Sequence, residues 1–183
     1  MKSTLKINKL NIIYHIVYSA FMAGLVFVVT FFIQIPYGNG VGYFNLSDAI
    51  ILFATGFFGP VEGLISGMIG ATLADIFSGY ASFAPFTLIA KGLESLSFYL
   101  IMYFFKKVNF IKYIALFISP LFMVLTYFIS YIALFGYEYA IVSSPFDILQ
   151  GEIGAVFAFI LLATLKRAHP KFASKLYIKD SLI

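Results

Sequence analysis

Apolar residues occur in six runs along the chain, separated by short stretches rich in glycine, proline, serine or lysine. A helix needs roughly 20 residues to cross a hydrocarbon core about 30 Å thick, and all but the second run approach that length. The pattern predicts an all-α membrane protein, a bundle of six transmembrane helices in a single domain, residues 1–183. We predict the helices at residues 12–35, 46–58, 60–78, 85–105, 111–135 and 145–165.

The second run is the exception in length. As a helix, residues 46–58 extend only about 20 Å. We expect Asn45 to cap this helix, and Gly59-Pro60 to end it and start the third. Helices 2 and 3 therefore either cross separately or form a tilted or re-entrant pair, and both arrangements keep the same parity of crossings.

Lysine and arginine predict the orientation of the bundle, because positively charged flanks are retained in the cytoplasm. They flank the runs on one side only, whereas loops 1–2, 3–4 and 5–6 contain none. We therefore expect both termini in the cytoplasm and a pocket that opens outward. The residues are Lys2, Lys6, Lys9, Lys106, Lys107, Lys112, Lys166, Arg167, Lys171, Lys175 and Lys179.

Composition excludes several classes of function. Hydrophobic residues make up 62% of the 183 residues and charged ones 11%, with a mean hydropathy of +0.98, so lipid surrounds most of the chain. The net charge is +4, but the basic residues form no continuous face, and no nucleic-acid partner is expected. The chain lacks cysteine, and His15 and His169 lie near opposite ends. We expect no metal site, no cofactor and no catalytic centre.

Small residues recur every fourth position in helix 3, at Gly63, Gly67 and Ala71. Such faces let helices approach closely, either within one protein or between subunits. Glu62, near the inner end of this helix, is expected to face water or a partner. Helix 1 carries a shorter version of the same pattern, formed by Ser19, Ala20, Ala23 and Gly24.

Polar side chains inside the predicted spans are costly and generally mark function. Asp75 lies about one turn below the outer end of helix 3, and Lys91 and Glu94 share a face of helix 4. Gln150 and Glu152 enter helix 6 from its outer end. These positions predict a site for a small polar molecule.

Aromatic side chains near this polar layer, including Phe86, Tyr127 and Tyr131, are candidates for stacking on a flat ring. The alternative is structural: the charges of helix 4 pair only with each other or with Glu152 and fasten the helices. Asp48, in the first turn of helix 2, either favours the positive end of that helix or contributes to binding.

The region from Tyr43 to Glu94 carries four short segments in a distinctive order and spacing. They are Asn45-Leu46-Ser47-Asp48, Gly59-Pro60-Val61-Glu62-Gly63, Ala74-Asp75-Ile76-Phe77-Ser78-Gly79-Tyr80 and Pro85-Phe86-Thr87-Leu88-Ile89-Ala90-Lys91-Gly92-Leu93-Glu94. This region resembles the substrate-capture (S) components of energy-coupling factor (ECF) vitamin transporters. The length and the six-helix plan extend the resemblance to the whole chain.

The resemblance implies a subunit of the prokaryotic plasma membrane that binds a vitamin-like substrate outside the cell. A transmembrane coupling (T) component and two cytoplasmic ATPase subunits complete the transporter, so the chain itself is not an enzyme. It also implies that loop 1 covers the ligand, through Tyr37, Asn39 and Tyr43, and that helices 4 to 6 line the pocket. The small-residue face of helix 1 would meet the coupling subunit, with Ser19-x-x-x-Ala23 in place of the family's Ala-x-x-x-Ala.

Within the family, the sequence is most similar to the branch assigned to hydroxymethylpyrimidine or vitamin B6 compounds. Riboflavin, folate and biotin remain alternatives, because the sequence does not give the size of the pocket. Two other classes of function compete with transport. One is a membrane scaffold or assembly factor whose buried charges only lock helices, and the other is an intramembrane enzyme, for which nucleophile, base and metal ligands are missing.

Overall fold

The computed structural model describes residues 9–37, 42–105 and 110–168 and is mostly helical. A π-helical segment, Ser66–Ala71, joins two short α-helices into one continuous helix, Pro60–Phe77. The α-helices are α1 (Lys9–Phe32), α2 (Ser47–Phe57), α3 (Pro60–Ile65), α4 (Thr72–Phe77), α5 (Ala84–Phe104), α6 (Ile111–Phe135) and α7 (Tyr137–Ala168).

Four helices of the described chain are long and apolar enough to cross a membrane, with spans at Ile12–Phe32, Pro60–Phe77, Tyr113–Phe135 and Tyr137–Leu165. Helix α5 is 21 residues long but is less apolar because it carries Lys91, Glu94 and several small polar residues. Helix α2 has only 11 residues. The count of six crossings therefore stays a prediction.

A two-stranded antiparallel hairpin, absent from the predicted all-α fold, follows α1. Strand β1 (Ile35–Tyr37) pairs with β2 (Gly42–Phe44), with Ile35 opposite Phe44 and Tyr37 opposite Gly42. Helix α1 ends at Phe32, so the prediction that it extends to residue 35 is wrong. Pro36 excludes Ile35 from the helix, because proline disfavours helical geometry in the residue before it, and Ile35 pairs with Phe44 in the hairpin instead.

Helix α7 is longer than predicted and includes residues expected to form the preceding loop. Only Gly136, with a φ of 91°, separates it from α6. Pro145, expected near the start of this helix, lies inside it. Transmembrane helices tolerate proline because neighbouring helices, Ser/Thr side chains and local adjustments of the helix satisfy the backbone groups that it frees. The Ser144 hydroxyl donates to the Ala140 carbonyl one turn earlier.

Glycine allows the helix Pro60–Phe77 to pack closely on two sides. A Cβ on Gly63 would collide with Thr55 of α2, and a Cβ on Gly70 would come within 2.5 Å of the Ala23 carbonyl oxygen of α1. Gly59, with a φ of 133°, supplies the break before Pro60. The small-residue face thus packs within the chain, which is one of the two arrangements considered from the sequence.

The described core contains three apolar clusters, of which the smallest joins α1, α2 and the π-helical segment through Val26, Ile51 and Ala71. Another brings together α2, α5, α6 and α7 around Leu52, Phe98 and Leu116. The third surrounds Phe83, Met123 and Tyr127 beside the hairpin. Large apolar side chains cover the outer surfaces of α1, α6 and α7, as expected of helices in contact with lipid.

Candidate ligand-binding site

A cavity lies beneath the hairpin and is walled by the ends of α4, α5, α6 and α7. Its empty space, which includes open solvent at its mouth, is about 360 Å³. The wall combines aromatic rings with a few polar groups, the composition typical of small-molecule sites. The lining residues are Tyr37, Gly42, Tyr43, Asn45, Asp75, Tyr80, Phe83, Thr87, Tyr127, Tyr131, Asp147 and Gln150.

Strand β1 is fixed to α6 and α7 through Tyr37. Its hydroxyl donates to Asp147 Oδ1 at 2.8 Å and lies 3.0 Å from the Tyr131 hydroxyl. The Tyr131 hydroxyl also donates to Asp147 Oδ1, at 3.2 Å. The Tyr37 ring stacks on Phe146 with centroids 4.7 Å apart. Burial, and then the nearby Asp147 carboxylate, raises the pKa of Tyr37, so its phenol remains a proton donor at physiological pH.

Strand β2 is fixed to α4 in the same way. The Tyr43 hydroxyl donates to Asp75 Oδ1, and the Tyr43 ring lies 4.7 Å from that of Tyr80. Burial, followed by the Asp75 carboxylate, raises the pKa of Tyr43. The two strands therefore close the cavity with one tyrosine each, directed at carboxylates on different helices.

Gln150 forms the floor of the cavity, and its amide is held in one orientation. Gln150 Oε1 accepts from the Asn45 backbone N–H at 2.9 Å, and Nε2 donates to Asp48 Oδ2 at 2.9 Å. Asn45 Oδ1 in turn accepts the Ser47 backbone N–H at 2.9 Å. The N-cap position of α2 is Leu46, with no side-chain cap, so the prediction that Asn45 caps helix 2 is wrong. Asn45 instead connects the hairpin to α7.

Lys91 and Glu94 lie below the cavity and are absent from its lining, so their role in substrate binding stays a prediction. Lys91 is 1% exposed and forms an ion pair with Asp48, while Glu94 Oε2 lies 4.0 Å from Lys91 Nζ. Lys91 Nζ also lies 5.9 Å from the centre of the Tyr127 ring. Pairing of Lys91 with Asp48 was not anticipated from sequence spacing, because the two residues are 43 positions apart.

Four of the residues proposed from the helical segments reach the cavity: Asp75, Tyr127, Tyr131 and Gln150. Phe86 and Glu152 do not line it, and both are half-buried elsewhere on α5 and α7. Of the proposed gating residues, Tyr37 and Tyr43 line the cavity, whereas Asn39 lies outside the described residues.

Several lining residues were not predicted. Asp147 had a usable signal, because it precedes Gln150 by three positions and therefore shares its helix face. Thr87 likewise precedes Lys91 by one turn, and its hydroxyl accepts from Tyr127 at 3.0 Å. Phe83 and Tyr80 lie in the turn before α5, where no periodicity exists to single them out.

A separate apolar groove runs along α1 and the helix Pro60–Phe77, with about 1,070 Å³ of empty space when the open solvent above it is included. Of the four proposed coupling-interface residues, Ala20, Ala23 and Gly24 are at least partly exposed, whereas Ser19 is 3% exposed and points into the bundle. The groove is lined by Ile16, Ser19, Ala20, Ala23, Gly24, Phe27, Ile65, Ile69, Leu73 and Phe77.

A hydrogen-bonding contact between a histidine and a glutamate joins the same two helices near the start of α1. Glu62 is buried and contacts His15 Nδ1. The expectation that Glu62 faces water or a partner is therefore wrong, because α1 covers it. His15 remains half-exposed at the surface.

Comparison with known proteins identifies the chain. The family model for the S component of ECF-type riboflavin transporters matches residues 10–167. The chain belongs to this family. It is therefore the substrate-binding membrane subunit of a vitamin transporter, and S components act with a T component and ATPase subunits. The match does not confirm the hydroxymethylpyrimidine or vitamin B6 branch.

Two individual proteins are similar to this S component. An uncharacterized protein of Pyrococcus woesei is 33% identical over 131 residues, which cover 70% of this chain and 86% of the relative. A solved S component of a bacterial ECF transporter shares 24% identity and superposes with a TM-score of 0.62, covering 85% of this chain and 96% of the other. At that identity, the second comparison supports the fold alone.

Proposed function

We propose that this S component captures a small water-soluble vitamin or precursor from outside a prokaryotic cell and holds it beneath the hairpin. The observation that carries the proposal is the closure of one cavity by two tyrosines, Tyr37 and Tyr43, bonded to Asp147 and Asp75. A binding subunit needs a site that opens for entry and then excludes water, and a hairpin held by a few hydrogen bonds can serve both states.

Two ligand types have separate support. The family match favours riboflavin. The lining, with a few polar groups between aromatic rings around little enclosed space, favours a single-ring ligand such as hydroxymethylpyrimidine or a vitamin B6 compound. Either would stack against the aromatic wall and present hydroxyl or ring nitrogen groups to Asp75, Asp147 and Gln150.

The test of the function is binding by the isolated subunit. We expect protein purified in mild detergent to retain a vitamin that mass spectrometry identifies, and to bind the same compound again without ATP. If the protein were a membrane scaffold, the purified protein would contain no vitamin and would bind none of the candidate vitamins.

We further propose that the groove on α1 receives the T component of a transporter that includes two ATPase subunits. Its floor is built from small residues, Ala20, Ala23 and Gly24, which let another helix approach closely. Ala20→Leu should leave vitamin binding unchanged and abolish uptake by the assembled transporter. Val28→Leu, on an exposed part of α1 outside the groove, is the matched control and should preserve both. Normal uptake by Ala20→Leu would place the interface elsewhere.

A further inference from the structure

Two carboxylates in the cavity use only one oxygen each. Asp75 Oδ1 accepts from Tyr43, and Asp147 Oδ1 accepts from Tyr37 and Tyr131. Among the described residues, the second oxygen of each carboxylate is buried with no hydrogen-bond partner. The Thr87 hydroxyl interacts with Asp75 but does not satisfy its Oδ2. Both aspartates are at most 3% exposed.

Buried polar atoms are nearly always hydrogen-bonded, so two such oxygens in one cavity indicate groups that a ligand would satisfy. The protein itself has few protons left to offer there. Tyr37 and Tyr43 each donate their single hydroxyl proton to a carboxylate. Tyr127 donates its proton to Thr87. The hydrogen-bonding groups that remain unused in the cavity are therefore mainly acceptors.

The charge of the cavity also disfavours an anionic ligand. Among the described residues that line it, Asp75 and Asp147 are the only acidic side chains, and no lysine, arginine or histidine accompanies them. The residues between the strands, 38–41, are Gly-Asn-Gly-Val and add no charge. The nearest lysine, Lys91, lies below the lining and is engaged by Asp48. An anionic ligand would meet two carboxylates and no free cation.

We propose that the cavity selects a ligand with two hydrogen-bond donors, one for Asp75 Oδ2 and one for Asp147 Oδ2, and rejects phosphorylated forms of the same compound. The ligand class is an uncharged or cationic heterocycle that carries hydroxyl or amino groups. This inference rests on the proposed function and adds a chemical criterion to it: the subunit takes up the free vitamin and excludes its phosphate ester.

The experiment compares matched pairs on the purified full chain by calorimetry. The pairs are riboflavin with riboflavin 5′-phosphate, pyridoxine with pyridoxine 5′-phosphate, and hydroxymethylpyrimidine with its phosphate. We expect at least one free compound to bind, with its phosphate ester about 100-fold weaker, because like charges brought together in a desolvated site are strongly unfavourable.

Isosteric variants test the two residues. Asp75→Asn and Asp147→Asn each replace an acceptor oxygen with an amide and remove a negative charge. Each should weaken binding of the free compound by about 10-fold. Each should also reduce the ratio between the affinities for the free compound and its phosphate ester. Glu138→Gln removes a carboxylate from an exposed position on α7 and serves as the control. Thermal unfolding without ligand establishes that each variant is folded.

Three results would overturn the inference. Equal or tighter binding of the esters by the wild type rejects it and leaves the proposed function intact. An unchanged preference in both folded asparagine variants rejects the assignment to these aspartates. Absence of binding by all six compounds at millimolar concentration rejects the proposed function, and this inference with it.

Discussion

Lys91 and Asp48 form a buried ion pair that joins α5 to α2 directly below the cavity. Two charges removed from water are tolerated when they compensate each other, but a single remaining charge is strongly destabilising. Asp48 also holds the amide of Gln150. The pair therefore stabilises the fold and also positions a residue of the site, so the structural and functional interpretations of Lys91 are compatible.

The first prediction concerns this pair. Lys91→Met leaves Asp48 uncompensated and should lower the free energy of unfolding by about 3–5 kcal/mol. The double variant Asp48→Asn/Lys91→Met removes both charges and should recover the part of that loss that comes from Asp48, while Glu94 still lacks its lysine neighbour. Thermal unfolding in detergent measures both. If the double variant is no more stable than Lys91→Met, the two charges do not compensate each other.

The sequence pattern locates the polar residues inside the spans but does not identify their partners. Asp75 and Gln150 were found because an ionisable or amide group inside an apolar run is costly and therefore informative. Lys91 was proposed to bind the ligand because it is a charge inside a predicted span, and pairing was considered only with Glu94 or Glu152. Its ion-pair partner, Asp48, lies on another helix. Such pairing depends on tertiary packing, which spacing along one helix does not specify.

The hairpin β1–β2 is the element on which ligand retention depends. The second prediction is that Tyr37→Phe and Tyr43→Phe each remove one hydrogen bond to a carboxylate, worth about 1.5–3 kcal/mol, and speed ligand release by roughly 10-fold to 100-fold. Tyr137→Phe, at an exposed position at the start of α7, is the control. Stopped-flow release of the bound vitamin measures the rate, and wild-type rates in both variants would exclude the hairpin as the barrier.

Close packing of α1 against the helix Pro60–Phe77 allows a matched pair of glycine substitutions. The third prediction is that Gly70→Ala destabilises the protein by about 1–3 kcal/mol, because the added methyl group meets Ala23 and Val26. Gly24→Ala adds the same group where no atom lies within 4 Å, and should fold at least as stably. Equal unfolding temperatures would show that α1 shifts freely on its neighbour.

Among the elements, long helices were easier to predict than their connections. Helix α6 has the predicted bounds, residues 111–135, because its apolar run ends at Gly136. The hairpin was missed because strands of three residues are too short to show an alternating pattern. The start of α7 was misplaced because Ser143-Ser144-Pro145 is typical of a loop in water, whereas these residues lie inside a helix here.

For the whole molecule, the distribution of lysine and arginine still carries the proposal that both termini are cytoplasmic and that the cavity opens outward. The fourth prediction uses the absence of native cysteine. Glu138→Cys should react with a membrane-impermeant maleimide in intact cells, and Lys107→Cys only after permeabilisation. Labelling with the opposite pattern would invert the topology, and labelling of both without permeabilisation would change the number of crossings.

The π-helical segment Ser66–Ala71 determines which way the end of its helix faces. A π turn accommodates one more residue than an α turn. If the segment rewound as regular α-helix with all its residues retained, everything beyond it would turn by about 100°, the angle of one residue. Asp75 would then leave Tyr43 and the cavity, while Gly63 stayed against α2. The winding of these six residues thus sets the direction in which the Asp75 carboxylate points, one turn further along the helix. A change of winding beside the groove would therefore move Asp75 relative to the cavity.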